Sequence, residues 1–415
     1  MSDATGPWWR EPTRPQWISF LAAWAGWVLD GFDFTIFLLA MPAIAAEFGV
    51  SWVATAGSIT LTLLFRLGGG VVAGWAADRW GRKLPLMISI VWFALCDGAV
   101  AFAPTFAWVL VFRTLFGFGM GAEWTSGATL AMENWPRRSR GIASGVLQGS
   151  WAIGYILAAL AFGALAPGHG WRALFLVAAL PALLVLPIRL WVPESPDWKA
   201  ERAAAPRSSP RELLAPGVLG KLVWASLLWA ASFGIYYGLT GLWPALLTTE
   251  LGFDAAGVAR LVIVFNLGMM VGAVAWGALA ARKGVVLALT VPILALLPAL
   301  PLYVGAVPGA LAVGAFLAGA TGAGISGVTP LLLTSLFPAT VRARAVGLVY
   351  HVGALLAAGT PTLVAALAAG GARPLSLSMA AVVAGSSLLT LAILHLRPRG
   401  ALAGEPGGAP RGPEP

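Results

Sequence analysis

The feature of this sequence that most limits its fold is a series of long apolar stretches separated by short, basic segments. A helix needs about 20 residues to cross a hydrocarbon core of about 30 Å, and twelve stretches reach that length. They lie at about residues 17–45, 52–77, 84–103, 106–132, 140–166, 171–192, 221–249, 256–281, 285–305, 308–335, 342–369 and 374–396. Barrel strands alternate in polarity and are only about ten residues long. The pattern therefore predicts an all-α membrane protein with 12 transmembrane helices.

Composition excludes most soluble classes of protein. Hydrophobic residues make up 59% of the chain and charged residues 10%, against about 25% charged residues in soluble domains, so lipid must cover the surface. The net charge of +9 does not indicate nucleic-acid binding, because the basic residues fall in short clusters between apolar stretches. The single Cys96 excludes an internal disulfide and a cysteine zinc cluster. No cofactor or metal site is predicted, and no enzyme motif of the zincin, P-loop or nucleophile-elbow type occurs.

Basic residues also predict the orientation, since cytoplasmic loops are rich in Lys and Arg. With the N-terminus inside, external segments hold only Arg172, Arg260 and Arg373, so both termini are expected in the cytoplasm. The polar stretch 193–220 then separates two sets of six spans, as in transporters built from two related halves. The expected organisation is a cytoplasmic tail (1–16), a six-helix bundle (17–192), a cytoplasmic linker (193–220), a second six-helix bundle (221–396) and a disordered cytoplasmic tail (397–415).

One motif after the second span carries a family resemblance. The sequence from Gly74 to Lys83 reads Gly-Trp-Ala-Ala-Asp-Arg-Trp-Gly-Arg-Lys, and a shorter echo without the acid follows the eighth span at 277–284. It resembles the loop 2–3 signature of the major facilitator superfamily, which implies the two-bundle fold and a cytoplasmic gate. The gate residues implied are Gly74, Asp78, Arg79, Gly81, Arg82, Glu133 and Arg140, with Glu133 expected to bond the arginines of loop 4–5.

Three further stretches refine the resemblance. Asp30-Gly-Phe-Asp33, Glu133-Asn-Trp-Pro136 and Ser144-Gly-Val-Leu-Gln148 are similar to the sialate/lactate proton-symporter branch, and the aromatic-acid branch shares the first pattern. Both branches import organic anions with protons. The sequence Pro-Glu-Ser-Pro at 193–196 is similar to sugar porters, whereas the fifth span lacks the Gly-Pro pair typical of proton-driven exporters.

Ionisable residues inside spans indicate function, because each costs about 2.5–3.5 kcal/mol at mid-bilayer. At 1.5 Å per residue, Asp30 lies roughly 20 Å from the inner end of its span and Arg66 roughly 21 Å from the outer end of its own, so both are near the midplane. Asp30 and Asp33 are expected to point into one small volume and, with Glu123, to carry protons. Arg66 is the expected anion anchor. The alternative is that Arg66 forms a static structural ion pair with Asp30.

The remaining polar residues inside the predicted spans have candidate roles in ion pairing, hydrogen bonding to the substrate or helix packing. Asp97 and Arg113 lie at similar depth and are expected to form an ion pair. Gln148, Tyr236, Tyr237 and Asn266 are candidates for hydrogen bonds to the substrate, although such residues also join helices. His351 has no acidic partner in its span, which favours a hydrogen-bonded packing histidine.

These observations predict proton-coupled uptake of a small organic anion by alternating access, with a monocarboxylate such as lactate or a sialate-like acid as first choice. A sugar, polyol or aromatic-acid porter is the alternative, followed by an exporter and, last, a membrane-embedded enzyme or sensor. The expected partners are the anion, protons and the lipid bilayer, with no nucleic acid, and the protein is expected to be a monomer. The high Ala, Gly and Arg content suits a bacterial inner membrane.

Overall fold

The computed structural model describes residues 6–50, 52–180, 183, 185–204, 210–369 and 374–398. Within these ranges the chain is helical and contains no strand. Most of the tail predicted to be disordered (397–415), part of the linker and Arg373 lie outside the described residues.

Sixteen α-helices account for most of the described chain. They are α1 (Arg14–Phe48), α2 (Trp52–Trp80), α3 (Lys83–Val100), α4 (Phe106–Asn134), α5 (Arg140–Ala178), α6 (Val185–Trp191), α7 (Pro196–Ala204), α8 (Pro216–Thr240), α9 (Trp243–Thr249), α10 (Ala255–Lys283), α11 (Val285–Tyr303), α12 (Leu311–Ala318), α13 (Thr329–Leu336), α14 (Arg342–Ala357), α15 (Thr360–Ala369) and α16 (Leu375–His395). Among the described residues, eleven segments are long and apolar enough to cross a membrane.

The difference between eleven segments and twelve predicted spans lies in α5. This helix has 39 residues, or about 58 Å, which is far more than one crossing needs. Its backbone is non-helical at Gly170, where φ is 71° and ψ is 177°. Gly170 falls between the fifth and sixth predicted spans, and glycine tolerates this left-handed φ because it has no Cβ. The remainder of the sixth span includes α6.

Three other spans are interrupted where the sequence is rich in glycine or proline, and one of these breaks, at residues 358–359, separates α14 from α15. Gly241 and Leu242 separate α8 from α9, whose first turn contains Pro244. Between α12 and α13 the chain forms a π-helical turn (Gly319–Ala323) and then a 3₁₀ turn (Gly324–Val328). A Cβ at Gly327 would overlap the backbone of Ala273, so the small residues of this interruption permit close approach to α10.

The chain divides into two compact units, each of which packs mainly against itself. Unit 1 comprises Met1–Pro136, Ser150–Leu213 and Phe337–Leu355, and unit 2 comprises Arg137–Gly149, Leu214–Leu336 and Leu356–Pro415. They differ from the two sequence halves because the start of α5 belongs to unit 2 and most of α14 belongs to unit 1.

Unit 1 has a continuous apolar core contributed mainly by α1, α4 and α5, including Ile36, Phe37, Val109 and Phe175. Its α2 and α4 approach closely at two glycines of α4. A Cβ at Gly117 or Gly121 would overlap backbone atoms of α2, so only glycine permits this distance. In lipid, such close packing of small residues replaces the hydrophobic effect as the source of helix association. It also brings the backbone of Arg66 against α4.

Unit 2 contains a similar close helix pair. A Cβ at Gly141 would overlap the carbonyl oxygen of Gly277, and the Ser144 hydroxyl donates a hydrogen bond of 2.6 Å to the carbonyl of Gly327. Trp243 and Tyr303 stack with ring centroids 4.6 Å apart, and the Tyr303 hydroxyl donates to the carbonyl of Leu239 at 2.7 Å.

Candidate functional site

Arg66 is the central charge of the candidate site in unit 1. This arginine is only 6% exposed, and its Nε and Nη2 atoms have no hydrogen-bond partner among the described residues. Its Cζ atom lies 5.6 Å from the ring centroid of Trp27 and 5.7 Å from that of Tyr350. Because buried cations are normally paired, a guanidinium held in this way is available to a ligand that carries negative charge.

Two carboxyl groups lie next to Arg66. Asp30 and Glu123 approach within hydrogen-bonding range of each other, and Arg66 is a charged neighbour of both. Asp30 is 0% exposed and Glu123 is 1% exposed. A Cβ at Gly26 would overlap the Glu123 carboxyl, so this glycine provides the space that lets α4 present Glu123 to α1. Neither oxygen of Asp30 has a hydrogen-bond donor among the described residues.

Asp33 belongs mainly to a second cluster. Asp97 and Arg113 are its charged neighbours, and it is also a charged neighbour of Asp30. Arg113 Nη1 donates to Asp97 Oδ1 at 2.9 Å. The guanidinium of Arg113 also packs over Phe37 and Phe116. The sequence led us to expect Asp30 and Asp33 in one small volume. A step of three residues moves a side chain about 4.5 Å along the helix and rotates it by about 60°, so the two aspartates reach different partners.

Aromatic rings surround Arg66, and the sequence analysis missed them. Trp27 lies 4.8 Å from Trp151 and 6.1 Å from Trp124, measured between ring centroids. Trp124 stacks on Tyr350 at 3.6 Å with an interplanar angle of 22°. Trp27 precedes Asp30 by three residues and Trp124 follows Glu123 directly, so adjacency to the buried acids was an available signal. Tyr350 had no comparable signal, because it comes from a distant part of the chain.

His351 occupies the expected role of a packing histidine. It is buried, and its Nε2 atom lies 3.2 Å from the carbonyl of Gly121 and 3.4 Å from the hydroxyl of Thr125. A Cβ at Gly70 would overlap its ring, which shows how closely α14 packs inside unit 1.

The four other predicted substrate residues lie in unit 2. They are Gln148, Tyr236, Tyr237 and Asn266. Asn266 donates to the carbonyl of Val262 one turn earlier at 2.9 Å, and Tyr237 stacks on Phe233 with centroids 5.6 Å apart. Arg66 therefore belongs to one compact unit, and the residues expected to join it in binding belong to the other.

A second charged network joins the loop between α2 and α3 to α4 and α14. Glu133 accepts from Arg82 at 3.0 Å and from Arg342 at 2.7 Å. Asp78 pairs with Arg344 at 2.8 Å and with Arg82 at 3.1 Å. Burial disfavours the charged form of Arg82, but the Glu133 and Asp78 carboxylates outweigh it and raise the pKa of Arg82 above its usual value.

The structure adds partners to several predicted gate residues. Glu133 was expected to bond the arginines that follow it, and it accepts from Arg82 and Arg342 because the turn after α2 and the start of α14 both fold against the end of α4. Arg79 packs over the rings of Trp75 and Trp80 instead, at 5.6 and 5.7 Å. Arg140 belongs to unit 2.

Two glycines of the predicted gate have clear structural reasons, and two residues besides Arg342 and Arg344 join this network without having been predicted. A Cβ at Gly74 would lie 2.7 Å from the Cα of Arg344, and Gly81 has a φ of 97°. Glu194 accepts from the backbone N–H of Arg82 at 2.8 Å and of Lys83 at 3.1 Å. The Ser195 hydroxyl donates to Glu133. Among the described residues no group of His, Cys, Asp and Glu could hold a metal ion.

Comparisons with known proteins agree with this architecture. The sequence model described as Major Facilitator Superfamily matches residues 23–300. The chain is 30% identical to the sialic acid transporter NanX of Escherichia coli over 86% of its length and 88% of that protein. It is also 30% identical to the cis,cis-muconate transport protein of Acinetobacter baylyi, over 91% and 92% of the two chains.

Solved structures show the same fold at low sequence identity. A proton:xylose symporter, XylE, superposes with a TM-score of 0.75 and 18% identity over 92% of this chain and 95% of its own. The human organic anion transporter MFSD10 superposes with a TM-score of 0.71, also at 18% identity, over 92% and 100% of the two chains.

Proposed function

Because the chain belongs to the major facilitator superfamily, we propose that it takes up a small organic anion together with protons by alternating access. The protein is a multi-pass membrane transporter and not an enzyme. The observation that carries the proposal is the unsatisfied, buried guanidinium of Arg66 beside the Asp30–Glu123 carboxyl pair.

Arg66 is the proposed anion anchor. A guanidinium remains charged at any physiological pH and matches a carboxylate with two parallel hydrogen bonds. Both of its unpartnered nitrogens are buried in unit 1. A neutral sugar or polyol has no carboxylate to accept from these two nitrogens, so the site favours an acid over the alternative sugar substrate. Sialic acid and muconate, the substrates in the names of two relatives, are both acids.

Asp30 and Glu123 are the proposed proton carriers. Two carboxylates within hydrogen-bonding range repel each other in a buried site, whereas one proton between them turns the repulsion into a hydrogen bond. With one shared proton, the pair carries a single negative charge that balances Arg66. An incoming anion then brings one excess negative charge, and a second proton restores neutrality before the site moves through the membrane.

The network around Asp78, Arg82 and Glu133 is the proposed cytoplasmic gate. Through Arg342 and Arg344 it holds the segment Phe337–Leu355 inside unit 1. Alternating access requires this segment to leave, and breaking these ion pairs is the corresponding step. The assignment of this end to the cytoplasm follows from its basic residues.

The test is transport by reconstituted protein. Liposomes containing a pH-sensitive dye receive lactate, pyruvate, sialate, an aromatic acid or glucose outside, and empty liposomes correct for passive entry of protonated acid. We expect one or more acids to acidify the lumen and glucose to have no effect. Arg66→Gln should abolish substrate uptake, and Asp30→Asn or Glu123→Gln should abolish acidification while substrate exchange continues.

A matched control comes from Asp254→Asn. Asp254 accepts from the backbone N–H of Gly257 at the start of α10, and asparagine caps a helix equally well, so this variant should transport normally. The proposal is wrong if glucose crosses and no acid moves, or if Arg66→Gln transports acids at the wild-type rate.

A further inference from the structure

The aromatic rings near Arg66 form one continuous surface within unit 1. It begins at Trp27 and Tyr350, whose rings face the guanidinium, and continues through Trp151, which lies 4.8 Å from Trp27. Trp151 is followed by Phe34 at 5.9 Å and Tyr155 at 6.1 Å. The first three residues are buried, whereas Phe34 and Tyr155 are half-buried. The surface therefore extends from the buried cation toward a more accessible part of the unit.

Trp27 lies at the centre of this surface and carries an unused donor. It is 4% exposed, and its indole Nε1 has no hydrogen-bond acceptor among the described residues. Buried tryptophans normally find a partner for this N–H, and tryptophan in membrane proteins concentrates at the water interface. Ordinary packing at this depth would be achieved by leucine or phenylalanine without leaving a polar group unsatisfied. A binding role explains why tryptophan stands here.

The chemistry of the surface selects the shape of the ligand. A carboxylate bound to Arg66 would have its carbon skeleton against the aromatic rings beside it. A flat, conjugated skeleton can stack on such a ring or meet it edge to face. Each such contact contributes binding free energy in addition to that of the apolar surface it buries. A short hydroxy acid would leave most of the ring surface uncovered, and a hydroxyl-rich skeleton would lose its hydration against it.

We infer that the transported anion is a carboxylate joined to a planar conjugated or aromatic skeleton, with Trp27 and Trp151 as specificity-determining residues. The inference rests on the proposed function, because it takes Arg66 as the anchor of the anion. It favours the aromatic-acid alternative over a lactate- or sialate-type substrate.

The experiment compares acids with the same number of carbon atoms, one planar and unsaturated and the other saturated. Benzoate is paired with cyclohexanecarboxylate, and sorbate, a planar dienoate, is paired with hexanoate. Binding to the detergent-solubilised protein is measured by calorimetry, which avoids passive leak across a bilayer. One to two ring contacts should favour the planar member of each pair by about 10-fold in Kd. Lactate should bind more weakly than either planar acid.

Variants identify the source of the preference. Trp151→Leu should reduce the planar preference to about 3-fold or less while Arg66-dependent binding persists. Trp27→Phe, which keeps a ring and removes the N–H, should weaken both members of a pair equally. Trp108→Leu is the matched control, because Trp108 is 49% exposed and stacks only on Phe112 at 5.4 Å among the ring contacts described. It should leave the preference unchanged.

The outcomes separate this inference from the proposed function. Equal or tighter binding of the non-planar acids, or an undiminished preference in Trp151→Leu, overturns the inference while Arg66-dependent binding of acids keeps the transport proposal. If no acid binds, or if binding survives in Arg66→Gln, both are wrong. Should Trp151→Leu fail to fold, the paired acids on the wild-type protein still decide whether the planar preference exists, and Trp27→Leu, which removes the ring beside the guanidinium, should reduce that preference.

Discussion

Replacing Asp78 by asparagine should release the segment Phe337–Leu355 from unit 1. The Asp78 side chain is 2% exposed and accepts four hydrogen bonds in the structure. Three of them come from α14: the backbone N–H groups of Ala343 and Arg344 at 3.2 Å and Arg344 Nε at 2.8 Å. Only the fourth, from Arg82, stays within the first half of the chain. The substitution therefore acts chiefly on the attachment of α14.

The expected increase in local opening of the segment follows from the burial of the ion pair. Asparagine is nearly isosteric, but it removes the charge that faces two arginines and the positive end of a helix. Breaking a buried pair by removing one partner costs about 3–5 kcal/mol. Because asparagine keeps one acceptor oxygen, we take the lower part of this range, about 3–4 kcal/mol. At about 1.4 kcal/mol per factor of ten, local opening of the segment should increase by about 10²- to 10³-fold.

Hydrogen exchange measured by mass spectrometry reads this opening directly, because amide protection reports the free energy of local unfolding or detachment. Peptides that cover residues 342–355 should exchange about 10²- to 10³-fold faster in Asp78→Asn than in the wild type. Peptides from α16, which belongs to unit 2, serve as an internal reference. The variant Asp254→Asn should leave residues 342–355 unchanged. Exchange within about threefold of the wild type in Asp78→Asn, with α16 also unchanged, would refute the reasoning.

Three further substitutions test other parts of the structure. Gly26→Ala should reduce proton-coupled uptake, because the added methyl displaces the Glu123 carboxyl from its position beside α1; acidification of liposomes measures it. Asp97→Asn should lower the free energy of unfolding by about 3 kcal/mol, seen as a reduced melting temperature, because Arg113 then stays buried without its hydrogen-bonded carboxylate. Gly170→Ala should cost about 1–3 kcal/mol in the same melting assay, because its φ of 71° with ψ of 177° is a combination that only glycine adopts readily.

Each of these three predictions would be contradicted by a specific result. Gly163→Ala, at a helical position of α5 with nothing within 4 Å of the added methyl, is the control for Gly26 and should transport normally. If both glycine variants behave alike, close packing at Gly26 is irrelevant to function. A wild-type melting temperature for Asp97→Asn would mean that the ion pair adds no net stability, and the same result for Gly170→Ala would mean that the bend in α5 adapts to alanine.

The sequence by itself determined the membrane-spanning architecture, because lipid demands long apolar helices with satisfied backbones and that demand is visible in one dimension. It also determined depth, since the rise per residue is constant: Asp30 and Arg66 were expected near the same level and are neighbours in the structure. The Asp97–Arg113 pair was found by the same argument, and the structure has these two residues in contact.

Only the tertiary structure decided which side chains face each other around the helix axis. Depth does not specify rotation, so the sequence did not show that Asp33 also lies beside Asp97 and Arg113. Partners distant in sequence were equally out of reach: Tyr350 stacks on Trp124, and Arg342 pairs with Glu133. Both contacts exist because most of α14 packs into unit 1, and that choice depends on the fit of small residues such as Gly74 against α14. Such complementarity is a property of two surfaces together, and neither stretch of sequence contains it alone.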